Sequence, residues 1–253
     1  ASNIFLGCEA GKNATTSNTS IFIGRCAGGW CAVTGAGNIA VGFGAGKKTT
    51  SGTCNIFVGN QAACNGTVTG SCNIALGEQA GYNIANGGRN VFIGQYAGKG
   101  NTSGSYNIVF GAYAASAGTL TGGGNIALGQ NAGRNLTSGT CNIYIGAEAG
   151  CAHNTSSNNN VAMGKCAFQK MLTGYNNIAL GTGAGQASGD DGTSISDNIF
   201  LGNYAGRCAR SSQNVFIGRQ AGRCTLTEGC NIFLGMEAGY ENSTGSSSVY
   251  IGQ

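Results

Sequence analysis

The chain has 253 residues and a formal net charge of +4, and charged side chains make up only 9% of it, against about 25% in an ordinary soluble domain. The few charges are thinly spread and form no basic patch, which argues against nucleic acid as a partner. No apolar run approaches the roughly 18 residues of a membrane span, and a surface so poor in charge is expected to be covered by neighbouring subunits or by glycan.

One phrase organises the sequence from end to end: Asn, three apolar residues, Gly, two variable residues, Ala and usually Gly. It begins with Asn3-Ile4-Phe5-Leu6-Gly7 and ends, cut short, with Ser248-Val249-Tyr250-Ile251-Gly252. Its glycines are Gly7, Gly24, Gly42, Gly59, Gly77, Gly94, Gly111, Gly129, Gly146, Gly164, Gly181, Gly202, Gly218, Gly235 and Gly252. Most of them are 17 or 18 residues apart. A fixed period of this size over the whole chain means a stacked array and not a catalytic globule. Proline is absent, as expected where almost every backbone N–H enters a ladder.

Taken in order, each motif predicts one short strand, with Ile or Val after the Asn and an apolar residue before the Gly. Seventeen residues leave no room for a helix that could bury both. The expectation is therefore an all-β parallel solenoid of about 15 coils, a single repetitive domain over 1–253 without capping units. The repeated Asn should stack as a ladder, and the Ala three after each motif Gly should be an inward corner. The residues flanking the central apolar position are expected to face the core. The central position would then face outward as an apolar stripe of Phe5, Phe22, Phe57, Phe92, Tyr144, Phe200, Phe216, Phe233 and Tyr250, interspersed with Ala and Val. Such a stripe marks lateral self-association, and bare terminal coils suggest additional head-to-tail assembly.

The motif resembles the head repeats of trimeric autotransporter adhesins and the Gly/Asn-rich repeats of phage tail fibres. The resemblance runs unit by unit through Asn38-Gly42-Ala45, Asn73-Gly77-Ala80, Asn125-Gly129-Ala132 and Asn177-Gly181-Ala184. It implies a left-handed β-roll, three chains side by side, serving as an extracellular fibre or adhesive head on a cell surface or virion, with a surface glycan or receptor as partner. The coils here are longer than the adhesin head repeat and richer in cysteine.

Sites are few. His153 is the sole histidine and supports neither a triad nor a zinc centre, and neither an enzyme nor a cofactor is expected. Asp190, Asp191 and Asp197 share the one long spacing and form a weak Ca²⁺ candidate. Twelve cysteines lie outside the strands, which suggests disulfides in an oxidising setting. Cys54 with Cys72 and Cys208 with Cys224 are candidate pairs because each pair is one unit apart. Sequons at Asn13, Asn18, Asn65, Asn101, Asn135, Asn154 and Asn242 lie between motifs. Thr67-Val68-Thr69, Thr119-Leu120-Thr121 and Thr225-Leu226-Thr227 raise the alternative of an ice- or carbohydrate-binding face.

Overall fold

Three apolar residues held between an Asn (or Ser, at Ser20 and Ser248) and a Gly form a three-residue strand in every motif. The computed structural model describes residues 2–152, 157–171, 173–188, 193–224, 229–242 and 244–252. Among these there is no helix, and the fold is a parallel β-solenoid. The chain comprises two compact units, Ala1–Asn125 and Ile126–Gln253.

The first unit carries β1 (Ile4–Leu6), β2 (Ile21–Ile23), β3 (Ile39–Val41), β4 (Ile56–Val58), β5 (Ile74–Leu76), β6 (Val91–Ile93) and β7 (Ile108–Phe110). Each strand pairs in parallel with the next, in motif register, so that Ile56 faces Ile74 and Phe57 faces Ala75. The second unit carries β8 (Ile126–Leu128), β9 (Ile143–Ile145), β10 (Val161–Met163), β11 (Gly174–Tyr175), β12 (Ile178–Leu180), β13 (Ile195–Ser196), β14 (Ile199–Leu201), β15 (Val215–Ile217), β16 (Ile232–Leu234) and β17 (Val249–Ile251). Its motif strands stack in the same parallel register. β11 and β13 form a separate two-stranded pairing beside the longest coil.

Strands this short cannot hold a coil together alone, and the buried Asn side chains supply the rest. Asn73 donates its backbone N–H (2.9 Å) and its Nδ2 (3.1 Å) to Oδ1 of Asn55 one coil back, and its Nδ2 also reaches the Gly87 carbonyl at 3.0 Å. Asn90 treats Asn73 in the same way, and the pattern recurs in the second unit from Asn160 onto Asn142. Because the Oδ1 accepts twice and the Nδ2 donates twice, the amide is satisfied inside the coil. Burying it unpaired would be costly.

Side chains alternate along a strand, so the residue two after this inward Asn also faces inward. The structure therefore reverses the expected sidedness. Phe22, Phe57, Phe92, Tyr144, Phe200, Phe216 and Phe233 fill the interior of their own coils at 0–1% exposure. They are core and not an outward stripe. Phe5 and Tyr250, in the first and last coils, are 40% and 44% exposed but continue the ring stack, 5.2 Å from Phe22 and 4.9 Å from Phe233.

The corner Ala is buried wherever coils cover it on both sides, as at Ala27, Ala62, Ala97 and Ala149. A second inward row closes the interior from the opposite wall: Val33, Val68, Ile84 and Leu120 in the first unit, and Leu136, Met171 and Ile195 in the second. The motif glycine is needed for close approach. At Gly94, with φ of +126°, a Cβ would lie 2.9 Å from the Gly111 carbonyl carbon on the next coil.

Candidate functional site

With the central residue turned inward, the two residues flanking it turn outward on every strand. In the first unit the register lines Ile21, Ile39, Ile56, Ile74 and Val91 into one row and Ile23, Val41, Val58, Leu76 and Ile93 into a parallel row. The side chains of these two rows are half-buried to exposed, at 45% for Ile108 and 55% for Phe110 on the following strand. The second unit has the same two rows, with Met163, Leu180, Ile217 and Ile232 each about two-fifths exposed. No charged or amide side chain occurs at any of these positions. Coils repeat at about 4.8 Å, so within each unit the rows are apolar and regularly spaced.

The polar groups lie on the turns that border this face, and many are matched within the chain. Lys47 Nζ sits 3.2 Å from the Trp30 ring centroid, and Lys99 Nζ sits 4.8 Å from that of Tyr96. Arg207 and Arg223 stack on Tyr204 and Tyr240. The Lys12 ammonium, 3.1 Å from Glu9, holds that carboxyl below its ordinary range, helped by the Cys26 thiol. Gln61 and Gln79 form a side-chain ladder at 2.9 Å.

No disulfide forms among the twelve cysteines, Cys54, Cys72, Cys208 and Cys224 included. The register does place both pairs on neighbouring coils, as the Cys72 N–H to Thr53 and Cys208 N–H to Arg223 bonds show. In-register side chains run parallel, however, so their Cβ atoms keep the coil spacing of about 4.8 Å, whereas a disulfide needs about 3.5–4.5 Å. Burial pushes the Cys64, Cys151 and Cys166 thiols up, the Glu148 carboxylate adding to the latter two. They are poor nucleophiles at neutral pH.

The remaining candidates separate. Asn13, Asn18 and Asn65 are exposed, and Asn135 and Asn242 are half-buried. Asn101 is wholly buried beside the Leu120 bridge and cannot accept a glycan. Asn154, His153, Asp190 and Asp191 lie outside the described residues. Asp197 accepts a 3.0 Å hydrogen bond from Asn176. No group of three or more His, Cys, Asp or Glu among the described residues is arranged to hold a metal ion, and no described helix is long and apolar enough to cross a membrane.

Thr67 and Thr69 do project outward around the buried Val68, and Thr119 and Thr121 around Leu120. The coils between them carry Asn83-Ile84-Ala85 and Gly100-Asn101-Thr102 at this position, so no continuous hydroxyl array forms. The Thr225-Leu226-Thr227 copy is outside the described residues. The flanking aliphatic rows, expected from the sequence to face the core, face outward instead, as the parity of the inward Asn implies. Comparison with protein families, with curated proteins and with solved structures finds no match.

Proposed function

We propose that this chain is a structural subunit or segment of an extracellular fibre or filament that self-associates laterally through its aliphatic strand face, in the manner of an adhesin or tail-fibre shaft. The observation that carries the reading is the pair of in-register Ile/Val and Leu/Ile rows, unbroken by any charge in either unit. Contiguous exposed apolar surface of this kind marks an interaction site. A second copy of the same face is its chemical match, since aliphatic rows offer neither donors nor acceptors to a polar ligand. The sparse charge and the likeness of the motif to fibre and adhesin repeats support an appendage outside the cell, with a glycan or receptor as a further partner.

Sedimentation analysis of wild-type protein and of the Ile56→Asp/Val91→Asp variant tests this. Wild type is expected to be oligomeric and the variant monomeric. An unchanged far-UV spectrum is expected for both, because these side chains lie outside the coil. A monomeric wild type at high concentration, or a variant of unchanged mass, overturns the reading.

A further inference from the structure

Cys54 and Cys72 occupy the residue before the ladder Asn on consecutive coils. Both are exposed and both are left-handed, with φ of 56° and 61°. Their positions are tightly fixed. The Cys54 N–H bonds to the Ala36 carbonyl at 3.0 Å and the Cys72 N–H to that of Thr53 at 2.9 Å, while Asn55 and Asn73 are locked into the ladder. Only the rotation about Cα–Cβ remains to each thiol.

Cβ atoms held about 4.8 Å apart are too far apart for a disulfide, but thiols turned parallel from them suit another bond pattern. A metal–thiolate bond is roughly 2.3 Å long, so a linear S–metal–S unit spans about 4.6 Å. Soft thiolates select soft cations. A cation satisfied by four ligands lacks them here, because among the described residues no third His, Cys, Asp or Glu joins the pair.

The neighbouring coils carry no further thiol or imidazole at this position. The preceding coil has Gly37 at this position, and a Cβ there would lie 3.5 Å from Cys54 Sγ, so this thiol leans towards Gly37 and turns about Cα–Cβ to face Cys72. The following coil has Arg89, whose Nη1 donates to Tyr106 Oη at 2.7 Å, with the guanidinium over that ring.

We propose that Cys54 and Cys72 form a two-coordinate site for a monovalent soft cation, Cu(I) or Ag(I). Binding replaces two S–H protons by one metal ion. Two thiols and M⁺ give a bis-thiolate complex of charge −1 and release two protons, with no change of oxidation state.

Cys141 and Cys230 provide internal controls. They occupy the same left-handed, exposed position, but the coils that follow them carry Asn159 and Ser247 there.

The reduced protein is titrated with Ag(I) in chloride-free buffer and pulsed with iodoacetamide, and each cysteine's labelling is read by peptide mass spectrometry. Cys54 and Cys72 are expected to become protected in step, labelling at least tenfold more slowly than Cys141 and Cys230. In the Cys54→Ser variant, checked for an unchanged far-UV spectrum, Cys72 should label as fast as Cys141. Equal labelling of all four cysteines overturns the proposal. So does protection of Cys72 that survives Cys54→Ser, or a Cys54–Cys72 disulfide found in the metal-free sample.

Discussion

In the second unit, the coils carrying Phe200, Phe216, Phe233 and Tyr250 stack one ring per layer, with centroids 5.4, 4.8 and 4.9 Å apart. The neighbouring coils carry Ala162 and Ala179 on their strands, and there the ring comes from the corner instead, from Phe168. Elsewhere the corner glycine lies over a strand ring: Gly81 and Gly98 both face Phe92, and Gly133 and Gly150 both face Tyr144. Gly185, whose own strand residue is Ala179, faces the Phe168 ring. Phe168 therefore occupies the volume that a ring at position 179 would fill. At this layer the core keeps its volume while the position that supplies the ring changes, as close packing requires.

The two arrangements should fail differently. Phe216→Ala removes a ring stacked on both sides and is expected to cost about 3–5 kcal/mol, the largest effect here. Phe168→Gly empties a similar volume but also relieves a left-handed residue at φ of 47°, a conformation that costs roughly 1–2 kcal/mol for an L side chain. Its loss should accordingly be smaller than that of Phe216→Ala. The double variant Ala179→Phe/Phe168→Gly moves the ring to the strand and the glycine to the corner, as in the regular coils. Chemical denaturation should show it recovering most of the stability lost in Phe168→Gly. A double variant no more stable than Phe168→Gly alone would mean that the two rings do not share one space.

A milder form of the same trade occurs in the first unit. The corner residues that are not glycine there are Ala63 and Ala115, both left-handed, and each precedes a coil whose strand centre is Ala, at Ala75 and Ala127. Gly81 precedes Phe92, and a Cβ on it would lie 2.9 Å from that ring. Gly81→Ala is expected to destabilise by about 2–4 kcal/mol through backbone strain and overpacking. Ala63→Gly should stay within about 1 kcal/mol, because relief of strain offsets a lost buried methyl. Equal costs at the two sites would break the link between corner and strand.

Much of this was legible before any coordinates. The period, the Asn ladder and the small corner residue follow from the sequence because each is forced once per coil by backbone geometry. The facing of the strand was not legible from its three apolar residues, since Ile-Phe-Val at 56–58 fits either parity equally well. The deciding residue is Asn55, two before Phe57. If its amide is inside, Phe57 is inside too, and Ile56 and Val58 become the outer face. The cysteine register was also legible, but Cα spacing alone suggested disulfides. The parallel Cβ vectors, which the stack imposes, decide against them. Phe168 stands where most copies have Gly, and its partner, Ala179, belongs to a different coil, so their exchange is not visible within any one repeat.

The smallest expected effect tests whether Tyr144 is simply another ring of this stack. It is fully buried between strand positions held by Ala127 and Ala162, and burial pushes its phenol well above the ordinary value near 10. In the pH range above about 10 the unfolded chain gives up the tyrosine proton while the folded chain keeps it. The folded state then binds more protons, so stability falls as pH rises. Below pH 9 Tyr144→Phe should cost no more than about 1 kcal/mol, the scale of one hydrogen bond. Above pH 10 the wild type should lose stability relative to the variant by about 1.4 kcal/mol per pH unit. Denaturation midpoints measured from pH 8 to pH 11 for both proteins give the difference directly, and the other tyrosines cancel in it. A difference that stays flat across that range would mean that the Tyr144 hydroxyl reaches solvent, and that this layer is looser than the phenylalanine layers.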